Sequence, residues 1–201
     1  MLLKRIFDLL VSGIALVLIA PVLLAIGLVI KLDSPGPVFF RQERVGRFGR
    51  TFRIHKFRSM GVDAPARGPQ LTVGKDARVT RVGGYLRRHK LDELPQLIDV
   101  FMGDMSIVGP RPEVPRYVAL YSPEDRDLVL SVRPGITDRA SVEFKDESEI
   151  LGAAADPEVV YHTDILPRKL AYYRAYVLER SFGGDIKIIF ATLKALLGRD
   201  D

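Results

Sequence analysis

The 201-residue sequence contains no cysteine and no tryptophan, and it has only three histidines. The absence of cysteine excludes disulfides and thiolate metal sites. The scarcity of histidine argues against a zinc site built on imidazole ligands. Lysine and arginine outnumber aspartate and glutamate by 30 to 25, which gives a net charge of +5. This balance favours anionic partners, such as nucleic acid, anionic lipid or phosphorylated substrates.

One long apolar run stands near the N-terminus. Residues 6–30 are almost entirely apolar, apart from Asp8, Ser12 and Pro21. A helix of this length is long enough to cross a hydrocarbon core of about 30 Å. The run is too long for the apolar region of a signal peptide, and no A-x-A cleavage site follows it. We therefore do not expect a cleaved leader.

Basic residues flank this apolar run on both sides. Lys4 and Arg5 precede it, and a longer basic stretch follows, consisting of Lys31, Arg41, Arg44, Arg47, Arg50, Arg53, Lys56 and Arg58. Because basic flanks prefer the cytoplasm, a straight span would leave one flank on the unfavoured side. A helix that bends at Ala20-Pro21 and returns to the same face removes this conflict. From the residues alone, a single-pass helix and a re-entrant helix both remain open.

The rest of the chain predicts an α+β fold, in which a small β-hairpin lies among helices. Residues 38–42 and 51–57 predict the two strands, with a glycine-containing turn at residues 44–50. Residues 61–74 predict a loop, because they are rich in proline, glycine and alanine. Helical periodicity is found in residues 76–89, 92–103, 116–130, 168–179 and 185–197. The last of these helices is amphipathic and suits either the protein core or the membrane surface.

Adjacent carboxylates, Asp92 and Glu93, stand at a predicted helix N-terminus within Leu91-Asp-Glu-Leu-Pro-Gln96. Backbone N–H groups and the helix dipole favour anions such as phosphate at this position. Two carboxylates can divide the work between a nucleophile and a Mg²⁺ ligand. The same pair is also typical of an ordinary helix cap. The cations available upstream to neutralise a diphosphate are Arg87, Arg88 and Lys90.

Three further motifs carry cations on short turns. Gly109-Pro-Arg-Pro112 holds Arg111 between two prolines, and a guanidinium offers a planar fork that suits phosphate. Arg133-Pro-Gly-Ile-Thr137 is a turn of the same kind, and Lys56-Phe-Arg-Ser-Met60 closes the hairpin with two cations. The first two motifs are also common as purely structural turns, and the third as a solvated strand end.

The order of the motifs along the chain is far more specific than any one of them. After the proline-containing apolar helix come Lys56-Phe-Arg-Ser-Met60, Asp92-Glu-Leu-Pro-Gln96, Gly103-Asp-Met-Ser106, Gly109-Pro-Arg-Pro112 and Arg133-Pro-Gly-Ile-Thr137. This ordered set covers residues 3–197. It resembles the bacterial sugar transferase family, the monotopic polyprenyl-phosphate phosphoglycosyl transferases, in its minimal catalytic form.

The resemblance implies an enzyme of the bacterial inner membrane. A re-entrant helix, residues 1–32, would hold a catalytic domain, residues 33–201, on the cytoplasmic face. The implied reaction transfers a phosphosugar from a UDP-sugar to polyprenyl phosphate with Mg²⁺ as cofactor, through a covalent intermediate on Asp92. Glu93 would help to bind Mg²⁺. The implied substrate contacts are Lys56, Arg58, Arg87 or Arg88, Pro110, Arg111, Pro112 and Arg133.

Two stretches depart from the family pattern. Ala20 precedes Pro21 where many members have serine, and residues 138–147 replace a glycine followed by small and aromatic residues. The second departure leaves the recognition of the sugar open. The alternatives from other classes are a membrane-tethered nucleic-acid-binding module and a scaffold for glycan-assembly enzymes. Because no nucleic-acid-binding motif occurs and aromatic residues do not interleave with the cations, we expect membrane lipids as partners and no nucleic acid.

Overall fold

The computed structural model describes residues 2–64, 67, 76–144 and 146–198. The helices in this part of the chain are α1 (Leu2–Asp33), α2 (Arg81–Arg88), α3 (Gln96–Met102), α4 (Pro115–Val118), α5 (Pro123–Val129), α6 (Arg139–Glu143), α7 (Glu147–Gly152), α8 (Pro157–Val160), α9 (Leu166–Glu179) and α10 (Phe182–Leu197). The strands are β1 (Phe39–Phe40), β2 (Glu43–Val45), β3 (Thr51–Arg53), β4 (Lys56–Phe57), β5 (Ser106–Val108) and β6 (Gly135–Thr137). The predicted α+β class is confirmed.

Helix α1 has the length and composition of a membrane segment. It contains an 18-residue window with a mean hydropathy of 2.9, of which only 6% is buried, so it is not a core helix. Residues 2–33 are helical throughout, including Ala20 and Pro21. The bend predicted at these two residues would therefore lie within a continuous helix. Proline has a φ compatible with a helix, but it lacks the N–H of one hydrogen bond, and its ring crowds the carbonyl four residues earlier.

Each end of α1 has residues that are buried against the rest of the protein, whereas the residues in its middle are at most partly buried. Asp8 and Ser12 are buried near one end, and Gly27 and Ile30 are buried near the other. No residue in the described stretch 13–26 is buried. A long apolar surface thus lies between two docked ends.

The predicted β-hairpin is confirmed, and it forms in two segments. Strands β2 and β3 are antiparallel, with Val45 opposite Thr51. Beyond a bend, β1 and β4 are antiparallel, with Phe40 opposite Lys56. The turn is shorter than predicted because the pairing extends to Val45, which leaves a 3₁₀ turn at Arg47–Gly49 as the tip.

Two predicted helix boundaries are wrong, each because of a cap. The helix predicted from residue 76 begins at Arg81, since the hydroxyl of Thr80 accepts a hydrogen bond from Gly83 N at 2.9 Å. The helix predicted over residues 116–130 is divided into α4 and α5. Ser122 caps the second of them by accepting from Asp125 N at 3.0 Å, and Pro123 follows in its first turn.

The other predicted elements fare differently. Residues 92–103 form a 3₁₀ turn at Leu91–Glu93 followed by α3, which ends at Gly103 with a φ of +98°. Both helices predicted near the C-terminus are confirmed, although each begins earlier than predicted. On α10, Ile188 is buried while Phe190 and Leu197 are exposed, so one face packs on the protein and a second apolar face does not. Most of the loop predicted at residues 61–74 lies outside the described residues.

Strands β5 and β6 bring two of the predicted motifs together. They pair in parallel, with Ser106 opposite Gly135. A Cβ atom on Gly135 would lie 2.1 Å from the nitrogen of Gly109, so the close approach of the two backbones at this point requires a glycine. This close approach fixes the start of the segment that carries Arg111.

Candidate active site

A buried polar stripe runs along the 3₁₀ turn and α3. Asp92, Gln96 and Asp99 are 2%, 1% and 1% exposed, and their spacing of four and three residues places them on one helical face. Helical periodicity also predicts an apolar stripe on this helix, formed by Leu94, Leu97, Ile98 and Phe101, and that stripe does not include the buried polar residues. Phe101 is 49% exposed, and it lies against Gly13 of α1, where a Cβ atom would be 3.3 Å from the ring.

The hairpin bend supplies partners to both ends of this stripe. Lys56 Nζ lies 2.9 Å from Asp92 Oδ2. His55 Nδ1 lies 2.6 Å from Asp99 Oδ1, and the backbone N–H of His55 donates to Asp99 Oδ2 at 2.8 Å. Two consecutive residues of the hairpin are thereby held against the helix that carries Asp92.

Lys56, Asp92, Glu93 and Arg111 form one cluster, which we call the active-site cluster. Lys56 Nζ contacts Glu93 Oε1 at 3.3 Å as well as Asp92. Arg111 Nη1 donates to Glu93 Oε2 at 3.1 Å, and its Nη2 donates to Glu93 Oε1. Strand β4, the 3₁₀ turn and the loop after β5 each contribute to the cluster. The sequence analysis predicted all four residues for the site.

The electrostatics of the cluster keep Glu93 ionised. Burial alone raises the pKa of Glu93, but the charges of Arg111 and Lys56 outweigh it and hold this pKa well below its ordinary value. The Glu93 carboxylate in turn raises the pKa of Arg111, against the opposing effect of burial. The site therefore presents two fixed cations around two carboxylates.

Asp92 carries the one atom of the cluster that is buried without a partner. Among the described residues, Asp92 Oδ1 has no hydrogen-bond donor, and neither has Gln96 Oε1 on the next turn. A buried acceptor left in this state costs about 1–3 kcal/mol. Because Lys56 holds the other oxygen of Asp92, Oδ1 keeps its lone pairs available for a reacting atom.

Arg58 and Arg133, both predicted as substrate contacts, bind backbone carbonyls at helix ends. Arg58 donates to the carbonyls of Ser34 and Pro35 at 2.8 and 2.5 Å, just after α1. Arg133 Nε donates to the carbonyl of Gly103 at 2.7 Å, just after α3. These carbonyls lie just beyond the ends of α1 and α3, where the chain no longer forms helical hydrogen bonds. The structure thus gives both side chains a role in shaping the chain.

The remaining predicted contacts lie on either side of the cluster. On α2, Arg87 is half-buried and Arg88 is exposed. The carbonyl of Pro110 accepts from Gly135 N at 2.9 Å, and that of Pro112 accepts from Arg44 Nη1 at 2.9 Å. The two prolines thus fix the backbone on both sides of Arg111. Contact of these residues with a substrate stays a prediction.

Sequence reasoning missed His55, Gln96 and Asp99. The signal for Gln96 and Asp99 was the recurrence of polar residues at the spacing of one helical face, beginning at Asp92, whereas no such signal pointed to His55. Sequence reasoning also missed Glu113, which accepts a hydrogen bond from the buried hydroxyl of Tyr161 at 2.9 Å. No pattern in the sequence indicates that contact, because it joins distant segments.

The oxygen atoms of this site suit Mg²⁺. Glu93 and Gln96 Oε1 are hard oxygen donors, and Gln96 Oε1 has no hydrogen-bond partner among the described residues. No group of three or more His, Cys, Asp or Glu side chains that could hold a metal occurs within the described residues. This donor set fits an ion that keeps water and substrate phosphate in its coordination sphere, as Mg²⁺ does.

Comparison with known proteins identifies the family. The family described as Bacterial sugar transferase matches residues 1–199. The UDP-N-acetylgalactosamine-undecaprenyl-phosphate N-acetylgalactosaminephosphotransferase of Aeromonas hydrophila is 40% identical over 96% of this chain and 43% of its own. The UDP-glucose:undecaprenyl-phosphate glucose-1-phosphate transferase of Escherichia coli K12 is 40% identical over 96% of this chain and 39% of its own.

A shorter relative is matched over more of its length. The UDP-glucose:undecaprenyl-phosphate glucose-1-phosphate transferase of Caulobacter vibrioides is 37% identical over 98% of this chain and 71% of its own. The chain spans about two fifths of the Aeromonas and Escherichia proteins, 43% and 39%. The family match, by contrast, covers nearly the whole sequence, and the chain belongs to the bacterial sugar transferase family.

Proposed function

We propose that this protein transfers a phosphosugar from a UDP-sugar to polyprenyl phosphate, with undecaprenyl phosphate as the acceptor. The products are UMP and a polyprenyl-diphosphate sugar, which begins the assembly of a glycan on its lipid carrier. The observation that carries the proposal is the unpartnered, buried Oδ1 of Asp92 beside the cation of Lys56. The names of the relatives, which specify UDP-sugars and undecaprenyl phosphate, support the two substrates.

The first step forms a bond between Asp92 Oδ1 and the β-phosphorus of the UDP-sugar. The bond from that phosphorus to the bridging oxygen breaks, and its electron pair leaves with UMP. A phosphosugar-aspartyl intermediate remains. Lys56 and Arg111, on either side of Glu93, are placed to offset the negative charge that builds up on the phosphate oxygens.

The second step moves the phosphosugar to the lipid. A phosphate oxygen of the acceptor bonds to the phosphorus of the intermediate, the bond to Asp92 Oδ1 breaks, and the carboxylate is restored. A covalent route suits these substrates because the water-soluble donor and the lipid acceptor need not occupy the site together.

Mg²⁺ is the cofactor we propose, held by Glu93 with the free Oε1 of Gln96, which leaves Asp92 Oδ1 for the bond to phosphorus. When bound, it supplies positive charge to the diphosphate. Turnover should cease in EDTA and return with added Mg²⁺. Binding of Mn²⁺ in its place, followed by electron paramagnetic resonance, should weaken in Glu93→Gln. Full turnover in chelator would refute the role of the metal.

The direct test uses detergent-purified protein, a panel of UDP-sugars and undecaprenyl phosphate, with UMP as the readout. With donor alone, we expect about one UMP per protein and a phosphosugar adduct on the peptide that contains Asp92, detected by mass spectrometry. Release of UMP only when the acceptor is present, with no adduct, would contradict the two-step route. No UMP with any donor would contradict the proposed function.

We also propose that α1 is re-entrant and that the domain lies on the cytoplasmic face of the bacterial inner membrane. A straight helix of 32 residues is about 48 Å long, so a true span would separate its ends by the membrane. Here both ends contact the same domain. Arg5 donates to the carbonyl of Val100 at 2.7 Å near one end, and Arg58 holds that of Ser34 at 2.8 Å beyond the other.

Cysteine labelling tests this topology, since the native chain has no cysteine. Leu2→Cys and Ser34→Cys should both be protected from a membrane-impermeant thiol reagent in intact cells and labelled once the inner membrane is opened. Adding Pro21→Leu should straighten the helix, expose position 2 outside and impair catalysis. Labelling of either position in intact cells, with Pro21 present, would show a single-pass anchor.

A further inference from the structure

Strand β1 consists of two neighbouring phenylalanines that project to opposite faces. Phe39 is 38% exposed and Phe40 is 41% exposed. Phe39 stacks on Phe57, with ring centroids 5.5 Å apart and planes 14° from parallel. Because successive side chains of a strand alternate, Phe40 lies on the other face.

The face of Phe40 is the face of the active-site cluster. In the antiparallel pairing of β1 with β4, Phe40 stands directly opposite Lys56. Residues directly opposite each other have Cβ atoms about 5 Å apart on the same side of the sheet. Lys56 reaches Asp92 Oδ2 at 2.9 Å. An exposed apolar ring therefore neighbours the cation that holds the proposed nucleophile.

The same strand also adjoins the membrane helix. Val38, just before β1, packs against α1 so closely that a Cβ atom on Gly27 would lie 3.3 Å from its side chain. Val38 belongs to the cluster formed by Ile30, Phe57 and Leu86. Beyond this contact, the outward surface of α1 is apolar, with Leu28 and Leu32 at 62% and 78% exposed. Along this strand, Val38 contacts α1, and Phe40, two residues later, is paired with Lys56 of the active-site cluster.

We propose that Phe40 contacts the isoprenoid chain of the acceptor and so directs the acceptor phosphate toward Lys56 and Asp92. This inference rests on the proposed function. The acceptor consists of an apolar chain followed by a phosphate. The protein offers a matching pair of groups, the apolar ring of Phe40 for the chain and the cation of Lys56 for the phosphate. A UDP-sugar has no apolar chain that would use the ring. The contact therefore belongs to the second step of the reaction and not to the first.

The general lipid bilayer is the other possible occupant of an exposed phenylalanine, and α10 provides a matched control. Phe190 is 68% exposed on the outward apolar face of that helix. Truncating Phe190 removes the same side chain from the membrane-facing surface at a place remote in sequence from the cluster. Phe190→Ala should weaken association with vesicles without altering the use of the acceptor.

The experiment measures the two steps separately in Phe40→Ala, Phe40→Leu and Phe190→Ala. Phe40→Ala should leave UMP release from donor alone unchanged and raise the KM for undecaprenyl phosphate about tenfold, the scale expected for an apolar contact of this size. Phe40→Leu should restore most of the loss. With ethyl phosphate, an acceptor that has no isoprenoid chain, wild type and Phe40→Ala should react at equal rates.

Three results would overturn the inference. One is an unchanged KM for undecaprenyl phosphate in Phe40→Ala. Another is an equal loss in Phe190→Ala, which would assign the effect to membrane contact. The third is an equal slowing of UMP release from donor alone, which would place Phe40 in the first step. If wild-type protein releases no UMP, the proposed function itself fails, which is a distinct outcome.

Discussion

The active-site cluster and a second buried cluster are each built around an aspartate that is 2% exposed, Asp92 in one and Asp8 in the other. The second, which we call the anchor cluster, consists of Lys4, Asp8, Ser106, Ile107, Tyr176 and Asp185. It fastens the N-terminal end of α1 to β5, α9 and α10. The two clusters have similar burial and differ in how their carboxylates are hydrogen bonded.

Every carboxylate oxygen of the anchor cluster has a partner. Asp8 Oδ2 accepts from Ser106 Oγ at 2.8 Å, and Asp8 Oδ1 accepts from Ile107 N at 3.1 Å. Asp185 Oδ2 accepts from Lys4 at 2.6 Å, and its Oδ1 accepts from Tyr176 at 2.9 Å. In the active-site cluster, Asp92 Oδ1 has no such donor.

This contrast separates a structural carboxylate from a reactive one. Desolvation penalises both aspartates, and only full hydrogen bonding offsets the penalty. We expect the anchor cluster to stabilise the docking of α1, and the active-site cluster to hold a carboxylate ready for chemistry. Variants of the two clusters should therefore lose different properties.

The largest expected effect is on activity, in Asp92→Asn. The change keeps the shape of the side chain and removes the proposed nucleophile, so turnover should fall on the order of 10⁴-fold or more. The melting temperature should change by only a few degrees, because one oxygen of Asp92 was unpaired to begin with. Activity is measured as UMP release and stability by thermal unfolding in detergent. More than a tenth of the wild-type activity would show that Asp92 is not the nucleophile.

The next effect is on stability, in Asp8→Ala. The change leaves the hydroxyl of Ser106 and the N–H of Ile107 without their acceptor, at about 1–3 kcal/mol for each buried group. For a protein of this size, the melting temperature should fall by roughly 5–15 °C. Asp127→Ala, at an exposed aspartate on α5, should leave the melting temperature unchanged. An equal fall in both variants would remove the distinction between the two clusters.

The residues that proved predictable from sequence are those placed by local motifs. Asp92 and Glu93 are adjacent in the chain, and Arg111 is framed by prolines, so both features were visible before folding. The hairpin that carries Lys56 was predicted from alternation. The partners that complete the site were not predictable, because the contact of His55 with Asp99 joins residues 44 apart, and that of Asp8 with Ser106 joins residues 98 apart.

The buried polar face of α3 was also not predictable, because it too depends on contacts between residues distant in sequence. Apolar periodicity predicts an apolar stripe on α3 that includes Phe101, and it gives no sign of the buried polar face. The face that is buried against the hairpin is polar, because Lys56 and His55 supply charge and hydrogen bonds to it. Periodicity alone cannot distinguish an apolar stripe that packs in the core from one that meets a membrane helix. Only the position of α1 decides between them.

A third, smaller effect concerns Asp99, which lies on the stripe of Asp92 but is hydrogen bonded as fully as Asp8. His55→Gln removes the ring contact to Asp99 and leaves the backbone N–H contact, so Lys56 next in sequence should be less well placed. We expect about a tenfold fall in kcat with little change in the KM for donor. His89→Gln, at an exposed histidine just after α2, is the control.

A double-mutant cycle identifies how His55 acts. If its effect passes through Lys56, His55→Gln should lower the rate little further in a Lys56→Met background. A full tenfold loss in that background would show that His55 acts independently of Lys56. The contact of His55 with Asp99 would then be structural, as the contacts of the anchor cluster are.

The smallest effect is expected at Asp138. Both oxygens of this carboxylate are hydrogen bonded, but these bonds do not fully offset the cost of burying its charge. It caps α6 by accepting from Ser141 N at 2.9 Å and from Ser141 Oγ at 2.8 Å. Burial nevertheless raises its pKa above the ordinary value, against the opposing hydrogen bonds from Ser141. The folded protein thus holds this proton more tightly than the unfolded chain. That contribution to stability is complete below the ordinary pKa and is lost as the pH rises through the folded value.

Asp138→Asn removes this dependence on pH while keeping a cap, because asparagine is also a favoured N-cap residue and the Ser141 hydroxyl can reverse its hydrogen bond. The melting temperature of the variant relative to wild type should therefore rise from pH 4 to pH 7, by less than the loss in Asp8→Ala. Thermal unfolding at the two pH values measures the difference. A relative fall over that range would mean that the ionised carboxylate of Asp138 is stabilised by Arg111 and Lys169 more than it is penalised by burial.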